Sequence, residues 1–186
     1  MIKHTQTIFY IFFLISTNLL GRVLPSEVVW NENETGYYTI KENSIVLVST
    51  RGKKDKIILT SSQINNIKIE AFSFSQSKNK VLLFTESVKV WRYNTRGDYW
   101  VYDFNKNEMQ KLGREMSSSS LMFAKFSPNE NFVAYVSKEK SDSGIRNSST
   151  SVNIYLEDLE SRTIKKLTSS KGTKKLINGT FDWVYE

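Results

Sequence analysis

The sequence predicts an all-β chain, and three observations carry that prediction. Short β-branched and aromatic runs recur between polar turns. Nowhere do apolar residues repeat at helical spacing over about eleven positions with caps at both ends. The strand pattern also repeats along the chain at a period of roughly 50 residues.

Composition narrows the chemistry. The 186 residues include no cysteine and one histidine, His4, near the N-terminus. That excludes a disulfide framework, a thiol nucleophile and a zinc knuckle. A Ser–His–Asp or Cys–His pair would have to recruit His4, so no catalytic residue is assigned within the chain. No Gly-x-Ser-x-Gly, Gly-x-Gly-x-x-Gly or P-loop pattern occurs, and no cofactor or metal is expected. The hydrophobic share of 39% against 24% charged residues suits a folded chain rather than a disordered one.

Residues 1–24 read as a signal peptide or signal-anchor. Lys3 and His4 precede the apolar run Ile8–Ile15, which Ser16-Thr17-Asn18 interrupts. A positive start followed by about 7–15 apolar residues is the secretory layout, whereas a spanning helix needs about 20. Export follows, to a secreted, periplasmic or cell-surface location, with a membrane attachment only if the segment stays uncleaved. Three Asn-x-Ser/Thr triplets begin at Asn33, Asn147 and Asn178. They could carry glycans in a eukaryotic secretory pathway, though an Asn- and Ser-rich sequence also produces them by chance.

From residue 25 onward the strands come in order. Ile45–Val48 and Lys56–Leu59 flank the turn residues Arg51-Gly52-Lys53. Further strands are expected at Ile67–Phe74, Lys80–Thr85, Tyr99–Phe104, Leu121–Ser127, Phe132–Ser137, Val152–Leu156 and Thr163–Thr168. The polar stretch Ser137–Ser151 holds one apolar residue and reads as a surface hairpin insertion.

The repeat is visible residue by residue. Phe72–Phe84 parallels Ala124–Val136, with Phe74 and Phe126 lying 52 positions apart. Val101–Lys106 is matched to Tyr155–Glu160, and the copies close at Leu59, Leu112 and Leu167. Glu157-Asp158 then falls in a strand-end turn, where both carboxylates are expected in solvent. About four strands per copy indicate β-propeller blades, with a β-sandwich of evenly spaced strands as the competing architecture. About 160 residues hold about three blades, while a closed ring needs roughly 4–8, so residues 25–186 are expected to be part of a larger ring.

The net charge of +7 raises nucleic acid as a partner. Its basic clusters, Lys53-Lys54-Lys56, Lys165-Lys166 and Lys174-Lys175, lie beside strand ends in different repeats and lack an arginine–aromatic platform. Nucleic acid is therefore not expected.

Two clusters point elsewhere. In Val88-Lys89-Val90-Trp91-Arg92-Tyr93 an arginine sits between aromatics directly after a strand, and its five donors suit a carbonyl or carboxylate. Alternatively, both aromatics are core and Arg92 caps a strand end. The second cluster is Asn178–Glu186, where a turn delivers aromatics and acids.

Together with Tyr99–Phe104, Phe126-Ser127-Pro128-Asn129 and Phe132–Val136, these clusters resemble the N-terminal propeller of the dipeptidyl peptidase IV family. The likeness runs from about Ile45 to the last residue. It implies an exported serine exopeptidase releasing N-terminal dipeptides with proline or alanine second. It further implies an eight-bladed propeller joined to an α/β-hydrolase domain, and a homodimer. Peptides with a free N-terminus would be the partners. Arg92 matches the family's arginine that contacts a substrate carbonyl. Glu186 matches the first acid of the Asp-Trp-Val-Tyr-Glu run. In the family two further glutamates follow and hold the substrate's α-amino group, and this chain ends before them. The alternative function is a non-catalytic exported propeller module that binds peptide or protein.

Overall fold

Among the described residues twelve strands build three four-stranded antiparallel sheets, each formed by consecutive strands. The computed structural model describes residues 28–32, 35–90, 93–138, 152–168 and 178–179. The first sheet holds β1 (Val29–Trp30), β2 (Gly36–Lys41), β3 (Ser44–Ser49) and β4 (Lys56–Leu59). The second holds β5 (Ala71–Phe74), β6 (Lys80–Val90), β7 (Tyr93–Asp103) and β8 (Glu108–Lys111). The third holds β9 (Met122–Phe126), β10 (Phe132–Lys138), β11 (Val152–Asp158) and β12 (Ile164–Lys166). The one helical element among the described residues is a 3-10 turn, Ser61–Ile64. Three propeller blades of four strands are what the repeat predicts.

The sheets stack face to face because their strands are apolar on both sides. Val81 and Leu83 of β6 and Tyr102 of β7 point into a core shared with Ile45, Leu59 and Ile64. Their neighbours Leu82 and Val101 point the other way, into a core shared with Leu121, Val133, Tyr135 and Tyr155. Successive strand residues alternate faces, so the middle sheet is buried on both.

The repeat holds at the level of single hydrogen bonds. In the second sheet Ser75 N donates to Lys80 O at 2.9 Å, and Lys80 N donates back to Ser75 Oγ at 3.1 Å. In the third sheet Ser127 N donates to Phe132 O at 2.9 Å, and Phe132 N donates to Ser127 Oγ at 3.1 Å. Lys78 and Glu130 occupy matching left-handed positions at φ 60° and 59°. Glu130 reaches across to accept from Ser77 N and, at 2.6 Å, from Ser77 Oγ, which ties the two turns together.

Three expectations need correction. Ile67–Phe74 is not one strand, since β5 begins at Ala71. The Asn43 side chain donates to Ile67 O at 2.9 Å and accepts from Ile69 N at 2.7 Å, occupying backbone groups that a ladder would use. Ser137, which the sequence places both at the end of the Phe132–Ser137 strand and at the start of the polar stretch, lies in β10 and is fully buried, so it belongs to the strand and not to the insertion. The hairpin reading itself stands, because Lys138 pairs with Val152, while residues 139–151 lie outside the described set.

The third correction concerns Glu157. Asp103 Oδ1 accepts from Asn105 N and Lys106 N, and Asp158 Oδ1 accepts from Glu160 N and Ser161 N. Asp103 therefore corresponds to Asp158, one residue beyond the match made on sequence. A one-residue slip exchanges the faces of a strand. Glu157 takes the inward place of Tyr102 and is fully buried, and only Asp158, the last residue of β11, serves the turn through its carboxylate.

Two-sided burial has a measurable consequence. Leu82→Ala and Leu83→Ala, although adjacent, are each expected to cost about 2–5 kcal/mol in urea unfolding. A near-neutral result for either one would mean that its sheet face is not core.

Candidate functional site

The β6–β7 hairpin outgrows its sheet. Both strands have 11 residues, whereas β5 reaches only as far as Phe84 and β8 only as far as Trp100. Beyond Thr85 and Asp98 the two strands leave the rest of their sheet and pair with each other, through two register shifts, as far as Val90 and Tyr93, with one bridge from Gly97 to Leu121. Trp91 and Arg92, between those ends, lie outside the described residues.

A clamp holds the base of this arm. Asp98 is 3% exposed and accepts from Lys111 Nζ, from Ser119 N at 2.7 Å and from Ser118 Oγ at 3.2 Å. Lys111 also lies over the Trp100 ring, 5.6 Å from its centroid, and Trp100 Nε1 donates to Thr85 Oγ at 3.2 Å. Across the hairpin, Glu70 accepts from Ser87 N at 3.0 Å and from Ser87 Oγ. Gly97 and Leu121 exchange two backbone bonds of 3.0 and 3.1 Å, which fasten the arm to the segment entering β9. Position 97 also needs glycine for its packing against β6. A Cβ at position 97 would stand 2.6 Å from the Thr85 carbonyl and inside contact of the Phe84 ring.

Glu157 is the second polar group set into an inter-sheet core. Its Oε2 accepts from Gly113 N at 2.8 Å and from Tyr135 OH at 3.1 Å, while Oε1 has no hydrogen-bond partner among the described residues. Burial raises its pKa above the usual carboxylate range against the pull of those two donors and of Arg162 and Arg114. Tyr135 is raised in turn, first by burial and then by the Glu157 charge.

Two cavities open between the second and third sheets. One, of about 600 Å³, lies between β5 and β9 and is walled by Phe74, Phe84, Tyr99, Phe126 and Pro128. The other, of about 300 Å³, is walled by charged groups including Lys80, Asp103, Glu130, Asp158 and Arg162. No group of three or more metal-ligating side chains exists among the described residues.

Of the residues singled out on sequence, Arg92 is approached only through its flanking strands, and Glu186 also lies outside the described set. Asn178, at the start of the second cluster, donates to Asn153 Oδ1 at 3.4 Å, and Gly179 packs over Val136 and Ile154. Sequence reasoning missed the Asp98 clamp. The signals for it were an acid inside a strand beside two aromatics and the serine run Ser117–Ser120.

Three stacked antiparallel four-stranded sheets carrying an overlong hairpin in the second make this a propeller-blade protein. The profile described as the dipeptidyl peptidase IV (DPP IV) N-terminal region matches residues 75–186, and the chain belongs to that family. Dipeptidyl aminopeptidase B of Saccharomyces cerevisiae is 29% identical over 160 residues, covering 83% of this chain and 17% of the yeast protein. A probable dipeptidyl-aminopeptidase B of Phaeosphaeria nodorum is 32% identical over 107 residues, covering 58% of this chain and 10% of its own length. The crystal structure of Porphyromonas gingivalis dipeptidyl peptidase 4 superposes with a TM-score of 0.58 at 18% identity, over 77% of this chain and 19% of that one. That likeness shows the fold. The chain thus spans less than a fifth of each of these relatives.

Two outcomes test the polar groups. A carboxyl whose folded pKa is raised contributes stability below its unfolded pKa and loses it as pH rises through the folded value. Glu157→Gln is therefore expected to gain thermal stability over the parent as pH rises from 5 to 8, and a pH-independent difference would contradict this. Asp98→Ala leaves buried donors unpaired and is expected to cost about 1–3 kcal/mol in denaturant unfolding.

Proposed function

We propose that this chain is the substrate-guiding propeller portion of an exported dipeptidyl peptidase. The whole enzyme removes dipeptides with proline or alanine second from peptides with a free N-terminus. The observation that carries the reading is the overlong β6–β7 hairpin, which the family resemblance equips with Arg92 and which the Asp98 clamp and the Gly97–Leu121 bridge hold at its base. A guanidinium on a fixed arm can hold a substrate carbonyl by charge-assisted hydrogen bonds without ordering itself at each turnover.

Hydrolysis through a Ser–His–Asp triad needs a histidine, and His4 is the only one in these 186 residues. The reading therefore assigns the nucleophile and its base to an α/β-hydrolase domain outside them. The propeller shapes access and binding, and the glutamates expected after Glu186 hold the α-amino group. The enzyme acts outside the cytoplasm as a homodimer.

The complete gene product is expected to release the dipeptide from Gly-Pro and Ala-Ala chromogenic amides and to spare the N-acetylated forms. Equal cleavage of blocked and free substrates would rule out an exopeptidase of this type. Arg92→Ala is expected to lower kcat/KM about ten- to a hundredfold with an unchanged Tm. Unaltered kinetics would leave Arg92 as a strand-end residue.

A further inference from the structure

The cavity of about 600 Å³ lies at the end strands of the second and third sheets, β5 and β9, and small side chains leave it open. Ala71 pairs with Phe84, which pairs with Tyr99. Ser73 pairs with Leu82, which pairs with Val101. Residues in register share a face, so both rows point at the third sheet, as Leu82 and Val101 do. Each row is bulky on β6 and β7 and ends in a small residue on β5. From the opposing sheet β9 contributes Ala124. Packed sheets stand about 10 Å apart, a gap that bulky side chains fill and three small ones at one margin do not.

The walls have the make-up of a ligand site. Phe84 and Tyr99 lie 4.8 Å apart between ring centroids with planes tilted by 37°, and both are half-buried. Phe84 belongs to neither inter-sheet core. Phe126 and Pro128 wall the cavity from the third sheet's side. Lys125 is the one charged side chain among the described walls. It is exposed and makes no ion pair with any described residue. Ser73 and Gln76, also exposed, add hydrogen-bonding groups to the same walls. An apolar cavity of about 300–1,000 Å³ with a few convergent polar groups is the usual form of a small-ligand site.

We infer that this cavity binds a free aromatic carboxylate, its ring against Phe84 and Tyr99 and its carboxylate held by Lys125. The inference is independent of the peptidase reading, and its test reads binding without turnover. Aromatic rings gain from offset or edge contacts with one another beyond the area they bury. A lysine ammonium is a compact charge with three donors, so it selects a carboxylate over the neutral amide of the same shape. A single cation on otherwise apolar walls matches a monoanion.

The test uses the complete gene product, titrated in a calorimeter with N-acetyl-tryptophan and with N-acetyl-tryptophanamide. The expected result is one site per chain, with the acid bound about three- to tenfold more tightly than the amide. Lys125→Met is expected to weaken the acid by that factor and to leave the amide unchanged, and Lys125→Arg to keep the preference. Ala71→Leu fills the gap and is expected to weaken both probes about tenfold, with a Tm equal to or above the parent's. Ser73→Leu serves if that variant does not fold. No saturable binding by the parent, equal affinity for acid and amide, or undiminished binding by the filled variant would overturn the inference. Tighter binding of acetyl-Gly-Ser-Trp than of N-acetyl-tryptophan would overturn the assignment to a free acid in favour of a peptide C-terminus.

Discussion

A four-stranded antiparallel sheet that is apolar on both faces cannot remain in water alone, and this constraint organises the molecule. Residues 81 to 83 of β6 show it most directly, with Val81 and Leu83 in one core and Leu82 in the other. A sheet with one wet face would alternate apolar and polar residues. Here the alternation is between two neighbours, so each sheet supplies half of the next one's core. Consecutive strands pair, and consecutive sheets stack, which makes the fold a linear array of near-identical units.

Where the units meet, polar groups fix the register that apolar contact leaves loose. The Asn43 side chain holds the segment between the first and second sheets by two backbone bonds. Ser77 and Glu130 join equivalent turns of the second and third. Glu157, Tyr135 and Gly113 form a buried link across the same junction. Apolar faces can slide past one another at little cost, whereas a buried donor without its acceptor costs about 1–3 kcal/mol. The raised pKa of Glu157 is the electrostatic consequence of a carboxylate set into that junction.

The functional reading depends on the same economy of construction. An isolated two-stranded hairpin is marginal in water. The β6–β7 arm extends past its sheet and is secured at its base by Asp98, Glu70 and the Gly97–Leu121 bridge. Those contacts come from three separate segments of chain. A recognition group at the end of such an arm is positioned by the scaffold, while a loop of equal length would have to be ordered by the ligand.

The sequence by itself determined the class of fold, the number of repeats and the family. Strand periodicity and the Ser-x-x-x-x turn at Ser75 and Ser127 are local properties, expressed wherever the chain places those residues. It also marked the Trp91-Arg92 cluster, because an arginine between aromatics after a strand is locally unusual. It could not decide which way Glu157 faces, since matches one residue apart look alike in composition yet place the side chain on opposite faces. Nor could it shorten the strand before Ala71, because the competing partner, Asn43, lies 24 to 26 residues upstream. Asp98 depended on the fold for the same reason. Its partners are Lys111 on the neighbouring strand β8 and Ser119 in the segment entering β9, and only strand pairing in the second sheet and the packing of that segment bring them to it.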